Sequence, residues 1–214
     1  YGGTDAYEGD HTHILEAEGD LARALTNGLD GFHLLGHSYG GLCALRLALD
    51  EPDRIKSLTL IEPMAGFLMD KEVDAEPWAE IADVANTFRA KLDAGETEAG
   101  MIYYFDYWNG VGAWDAVEQR MRDFALATAW KSYHEFGAIF DRSNLVQPLS
   151  TLTMPIHIIR GAKTRKSAWR ISEKLAEGLP AAQVTTIEDA GHLSPITHPD
   201  EVNAAVEAFL IGLN

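Results

Sequence analysis

Cysteine occurs once, at Cys43, so no internal disulfide can form and nothing in the chain calls for an oxidising compartment. A cytoplasmic location is the expectation. Basic residues are scarce: 17 Lys and Arg stand against 33 Asp and Glu, a formal charge of −16. Binding nucleic acid needs clustered cations that release counterions from phosphate, and the one loose group is Lys163, Arg165, Lys166 and Arg170. The same deficit argues against an anionic membrane surface. No apolar run approaches the ~20 residues that span a bilayer, and no basic segment followed by a short apolar one opens the chain. Residue 1 is Tyr rather than Met, which reads as a processed or trimmed product, or one with something missing upstream. With 46% hydrophobic and 23% charged residues, the 214 residues suffice for one sizeable core.

What is present is an alternation. Ile14, Ala17, Leu21, Ala24 and Leu25 recur at helical spacing and Asn27-Gly28 follows, so an amphipathic helix is expected over 13–25. Phe32 to Leu35 is short and apolar apart from His33, the pattern of a strand buried on both faces of a parallel sheet. Beyond it the pattern predicts a helix over 42–49, strands over 55–61 and 156–159, a helix over 171–179 and a strand over 184–187. Pro199, Asp200 and Glu201 open a terminal helix carrying Val202, Ala205, Val206, Phe209 and Leu210. Strands alternating with helices imply an α/β fold with a mainly parallel sheet.

The stretch 1–10 is glycine-rich and reads as loop. Between Met64 and Pro148 the pattern turns helical and aromatic, so 64–148 reads as a helical cap inserted between core segments 1–63 and 149–214. Its acidic first part, 70–100, reads as solvated helical surface. Most of the aromatics are expected to pack the insertion onto the body, and a few to line an apolar pocket.

Gly36-His37-Ser38-Tyr39-Gly40 lies directly between a strand and a helix, the setting of a nucleophile elbow. The turn lifts the Ser38 hydroxyl above the sheet edge, and the two glycines are expected because a Cβ at either position would meet neighbouring backbone. The Tyr39 N–H, at the helix N-terminus, is the expected donor to a developing oxyanion. A serine hydroxyl is a weak nucleophile and needs a base within reach, itself oriented by a third group. His192, in Ala190-Gly191-His192-Leu193-Ser194-Pro195 between the last strand and the terminal helix, is the candidate base. His37 adjoins the nucleophile and is expected to point elsewhere, His157 lies in a strand, and His11, His13, His33, His134 and His198 lack a matching loop. His11 and His13 have no third metal ligand. No cofactor is implied, since there is neither a dinucleotide fingerprint nor a phosphate loop, and Cys43 is expected in the core.

With these motifs in order, the chain resembles the α/β-hydrolase superfamily over nearly its whole length. The resemblance implies the order nucleophile, acid, histidine, with the acid after the strand near 155–160. That turn reads Gly161-Ala162-Lys163-Thr164-Arg165, with Thr164 where an aspartate is expected. Some members, including many haloalkane dehalogenases, carry the acid one strand earlier, where Glu62 stands in Leu60-Ile61-Glu62-Pro63. Glu62 is therefore the candidate acid, with Glu188 and Asp189 as fallbacks. The dehalogenase likeness concerns geometry only, because those enzymes use an aspartate nucleophile and Ser38 points to acyl chemistry. Against the family pattern, Tyr1 to Asp5 resembles the loop after the fourth strand, so the first four strands and the loop with the other oxyanion donor are expected to be absent. The strand at 32–35, central in the family, would then be an open apolar edge. A separate N-terminal fragment, a partner subunit or a swapped copy in a homodimer is expected to cover it.

The residues lead to a serine hydrolase acting on a small apolar carboxylic ester through an acyl-enzyme. Carbon–carbon bond hydrolysis, lactone hydrolysis or acyl transfer would use the same residues. A non-catalytic ligand-binding protein on a hydrolase scaffold is the rival that the missing aspartate and oxyanion loop favour.

Overall fold

Within residues 13–213, the part of the chain that the computed structural model describes, four parallel strands pair in the order of the sequence. They are β1 (Phe32–His37), β2 (Ile55–Ile61), β3 (Ile156–Gly161) and β4 (Gln183–Ile187). Before β1 lies α1 (Ile14–Leu25), and α2 (Tyr39–Asp50) links β1 to β2. Three long helices follow β2: α3 (Ala75–Asp93), α4 (Thr97–Asn109) and α5 (Gln119–Phe140). Then α6 (Lys166–Gly178) joins β3 to β4, and α7 (Ser194–Thr197) and α8 (Pro199–Ile211) end the chain. The sequence reading of 1–10, and His11, lie outside the described residues.

Side chains alternate along a strand, and here both faces of the sheet are covered. Leu58, Leu60, Ile156 and Ile158 join the large core with α1, α2 and α6, whereas Ile61, Ile159 and Ile187 meet Val202 of α8 in a smaller one. α3, α4 and α5 share the large core through Phe88, Met101 and Phe136, so the inserted helices and the sheet bury one continuous apolar mass.

Two expectations change. Phe32–Leu35 is not buried on both faces: β1 has no neighbour on its outer side among the described residues, its positions alternate between half-buried and exposed, and Leu35 is 49% exposed. The acidic stretch 70–100 is not wholly solvated either. One stripe of α3, Ile81, Val84, Ala85 and Phe88, is buried, and the acids lie mainly on the other side. Buried Asp74 accepts from Arg170 Nε at 2.7 Å, and Glu80 accepts the Ser167 N–H at 2.8 Å. These contacts tie α3 to the start of α6. No helix among the described residues is long and apolar enough to cross a membrane.

Candidate active site

Because the sheet is parallel, its strands deliver their C-terminal ends to one edge, where α/β proteins place their ligands. Register sets the spacing: His37 pairs with Ile61, Ile61 with Ile159, and Gly161 with Ile187. The residues just beyond are Ser38, Glu62, Thr164 and the loop bearing His192. Four strand ends thus converge on one point.

Ser38 occupies φ 56° and ψ −126°, a conformation unfavourable for a residue with a Cβ, and Glu62 is also left-handed at φ 42°. The Ser38 N–H donates to the Ile61 carbonyl at 3.0 Å, and its own carbonyl accepts from Gly41 at 3.0 Å and Met64 at 3.1 Å, which hold the turn. Of the two flanking glycines only Gly36 behaves as expected: a Cβ there would overlap the Gly40 carbonyl. Gly40 faces open space, and the tight second glycine is Gly41, whose Cβ would lie 2.8 Å from Pro63 Cβ. The elbow therefore needs Gly36 and Gly41.

The Ser38 hydroxyl donates to His192 Nε2 at 2.8 Å, and His192 Nδ1–H donates to Glu62 Oε2 at 2.7 Å. Glu62 has no exposed surface and His192 is 3% exposed. The carboxylate is fully satisfied: Oε1 accepts the Gly161 N–H at 2.7 Å, and Oε2 also accepts from Thr164 Oγ1 at 2.6 Å. Burial pushes the Glu62 carboxyl up, but these donors outweigh it and hold it below the usual carboxylate range. A buried anion with this donor set fixes the tautomer of the imidazole, leaving Nε2 as acceptor toward Ser38. Thr164, which stands where an aspartate is expected, thus holds the Glu62 carboxylate from the next strand end. The fallback acids are elsewhere: Asp189 pairs with Lys163 at the surface, and Glu188 is exposed.

His37 does not point away from the site. Its Nε2–H donates to the His192 carbonyl at 2.7 Å, and its ring lies 5.1 Å from the His192 ring. Burial, then the neighbouring His192, bring its pKa down to about 4, so it is neutral at physiological pH. Gly161 matters for the same loop, since a Cβ there would run into the Ala190 and Gly191 carbonyls. Tyr39 is the first residue of α2, where helix amides have no acceptor within the helix. Cys43 is partly buried, and burial first, then Glu18, push its thiol up, away from the reactive form.

A narrow cleft opens on Ser38, lined by Tyr39, Met64, Tyr104, Trp108, Glu135 and Phe136 among others. Its free volume of about 10 Å³ holds no more than one water. Of the aromatics in the insertion, Tyr104, Trp108 and Phe136 line this cleft. Groups of three His, Cys, Asp or Glu side chains able to hold a metal are absent among the described residues.

A parallel sheet whose first described strand runs through a serine elbow into a helix is the α/β-hydrolase arrangement. The chain belongs to the alpha/beta hydrolase family, whose model matches residues 1–205. It is 27% identical to RutD of Variovorax paradoxus, provisionally named a carbamate hydrolase, over 89% of this chain and 72% of that one. With the pimeloyl-[acyl-carrier protein] methyl ester esterase of Aromatoleum aromaticum it shares 26% identity, over 83% of this chain and 73% of the relative. The fold is also that of the enol-lactonase from Burkholderia xenovorans LB400, with a TM-score of 0.74 at 20% identity over 99% of this chain and 77% of the other. The protein is accordingly a hydrolase of this family.

Proposed function

We propose that the protein is a serine hydrolase that cleaves a small, largely apolar carboxylic ester through an acyl-enzyme. The observation that carries this reading is the unbroken chain Ser38–His192–Glu62, at 2.8 and 2.7 Å, with its far end buried. Ser38 Oγ attacks the carbonyl as His192 Nε2 takes its proton, and Glu62 stabilises the imidazolium that forms. The Tyr39 N–H donates to the carbonyl oxygen as it gains charge. His192 then returns the proton to the leaving oxygen as the C–O bond breaks, and a water repeats the cycle to free the acid and Ser38.

The aromatic walls and the small cleft favour a short apolar acyl group, and they require α4 or α5 to shift before substrate enters. In this reading the helices between β2 and β3 act as a cap. A purely binding role has no use for a buried carboxylate locked onto a histidine that accepts from a strained serine. Lactone, carbon–carbon bond and acyl-transfer chemistry would use the same groups. The test is steady-state hydrolysis of short-chain esters beside lactones and vinylogous diketones. Turnover of acetate to butyrate esters that disappears in Ser38→Ala is expected; turnover that survives this substitution overturns the reading.

A further inference from the structure

One face of α5 meets the cleft that opens on Ser38. Ser132, Glu135, Phe136 and Ile139 all line it, and they stand at i, i+3, i+4 and i+7, the spacing of a single helical stripe. On α4, Tyr104 and Trp108, one turn apart, supply two more walls, and the Trp108 ring lies flat on the His192 imidazole with the centroids 3.8 Å apart. The walls that the inserted helices provide are thus largely aromatic or aliphatic, with one exception. Among the described residues, Glu135 is the only charged side chain that lines the cleft.

Glu135 is 5% exposed, and its Oε1 accepts from Lys131 Nζ, one turn earlier on α5, at 2.8 Å. Lys131 also pairs with Glu18 of α1. Two carboxylates therefore share one ammonium, and the three side chains together carry one net negative charge beside the cleft. Burial pushes the Lys131 ammonium down, but Glu135 and Glu18 outweigh it and hold it above the ordinary lysine value, so it stays charged. The Glu135 charge is felt in the neighbouring walls: burial first, then Glu135, push the Tyr104 hydroxyl up, and Glu135 does the same to Tyr39 after burial and Cys43. Packing alone does not call for such a group, since apolar side chains in place of a buried ion pair are often neutral or stabilising. An ionised carboxylate can accept up to about four hydrogen bonds, so its pairing with Lys131 does not bar a further donor from a ligand. One placed polar group in an apolar pocket is what fixes a ligand's orientation.

We propose that Glu135 sets the substrate class of this site: an acyl group with an apolar body and a cationic tip, the ester of an amino acid whose ammonium stands away from the carbonyl. The inference rests on the acyl-enzyme reading above and adds the remote end of the substrate to it. With the carbonyl at Ser38, the acyl body lies among the aromatic side chains of α4 and α5, and its ammonium donates to the Glu135 carboxylate in a charge-assisted bond. The net negative charge that attracts a cation repels an acyl chain ending in a carboxylate, so one residue both selects and rejects. Glu135 moves no proton in the reaction; it holds the end of the substrate that is not cleaved.

The test compares wild type with Glu135→Gln, which keeps the shape of the side chain and removes its charge. Two isosteric pairs of methyl esters are assayed, 3-aminopropanoate against butanoate and 6-aminohexanoate against heptanoate. Comparing the ratio of kcat/KM within a pair between the two proteins cancels the intrinsic reactivity of each ester. Glu135→Gln is expected to lower the amino-to-alkyl ratio at least tenfold in at least one pair. Ratios that stay within threefold of wild type in both pairs overturn the inference. A second measurement needs no variant, and decides should Glu135→Gln fail to fold: n-butylammonium is expected to slow fluorophosphonate labelling of wild-type Ser38 at a concentration at least tenfold below that of butan-1-ol, and equal concentrations overturn the inference. Wild-type protein that neither labels nor hydrolyses any of these esters sinks the acyl-enzyme reading and this inference with it, whereas an active wild type whose ratios Glu135→Gln leaves unmoved sinks the inference alone.

Discussion

Replacing Glu62 with Gln keeps the shape of the side chain and removes its charge, and the donors around it determine how the site responds. Oε1 faces the Gly161 N–H, while Oε2 faces both His192 Nδ1 and Thr164 Oγ1. A glutamine has one acceptor oxygen and one NH2 group, so one side must meet a donor with a donor. With the NH2 toward His192, Nδ1 becomes the acceptor and the proton moves to Nε2, which then cannot accept from Ser38. With the NH2 toward Gly161, a buried amide loses its acceptor, at a cost of about 1–3 kcal/mol, and the imidazolium still forms without a counter-charge. Either way kcat is expected to fall on the order of 10³ to 10⁴, which is about 4–5.5 kcal/mol of transition-state stabilisation. KM is expected to change only a few-fold, because Glu62 sits behind His192 with no exposed surface. The assay is steady-state hydrolysis of a butyrate ester, with thermal unfolding as the check on folding. A folded Glu62→Gln protein with wild-type kcat would refute the assignment of the acid. Adding Thr164→Asp to Glu62→Gln is expected to recover at least a tenfold increase, since Thr164 Oγ1 stands 2.6 Å from Glu62 Oε2.

The same geometry sets further expectations. Gly41→Ala, forced against Pro63, is expected to destabilise the protein by about 1–3 kcal/mol, and Gly40→Ala, facing open space, to be neutral or stabilising by up to ~1 kcal/mol; equal unfolding midpoints in denaturant would contradict this. Gly161→Ala should displace the His192 loop and lower kcat, which a wild-type rate would disprove. His37 is neutral in the fold down to about 4, whereas the ordinary value for a histidine is 6.5. The unfolded chain therefore takes up the proton first, and stability present above 6.5 is lost as pH falls toward 4, by up to about 3 kcal/mol. Glu62, held below the ordinary glutamate value of 4.5, adds a loss of the same sign once pH drops through that region. Urea midpoints that do not change between pH 7 and pH 4.5 would rule this out.

Much of the fold is legible in the sequence because local signals and tertiary demands agree. β2 runs over the residues that its apolar pattern marks, and the elbow needs a strand before it and a helix after it, both readable from periodicity. The start of α6 is not readable: its first five residues include Lys166, Ser167 and Arg170, and the partners of these residues, Glu76, Glu80 and Asp74, lie on or beside α3, far away in sequence. The exposure of β1 escapes the pattern because an apolar run records what a strand is suited to cover, not which neighbours it has. At the site, Ser38 and His192 carry sequence signatures. Thr164 does not, since its meeting with Glu62 depends on the register of β2 against β3. The stack of Trp108 on His192 and the bond from His37 to the His192 carbonyl join residues far apart in sequence through tertiary packing, and no spacing rule marks them.

Whether Ser38 is a nucleophile activated by His192 is read out by treating the purified protein with a fluorophosphonate and mapping the modified peptide by mass spectrometry. A single stoichiometric adduct on Ser38 is expected, absent in Ser38→Ala and at least a thousandfold slower in His192→Ala. A folded protein that stays unmodified, or that carries its adduct on another residue, would contradict it.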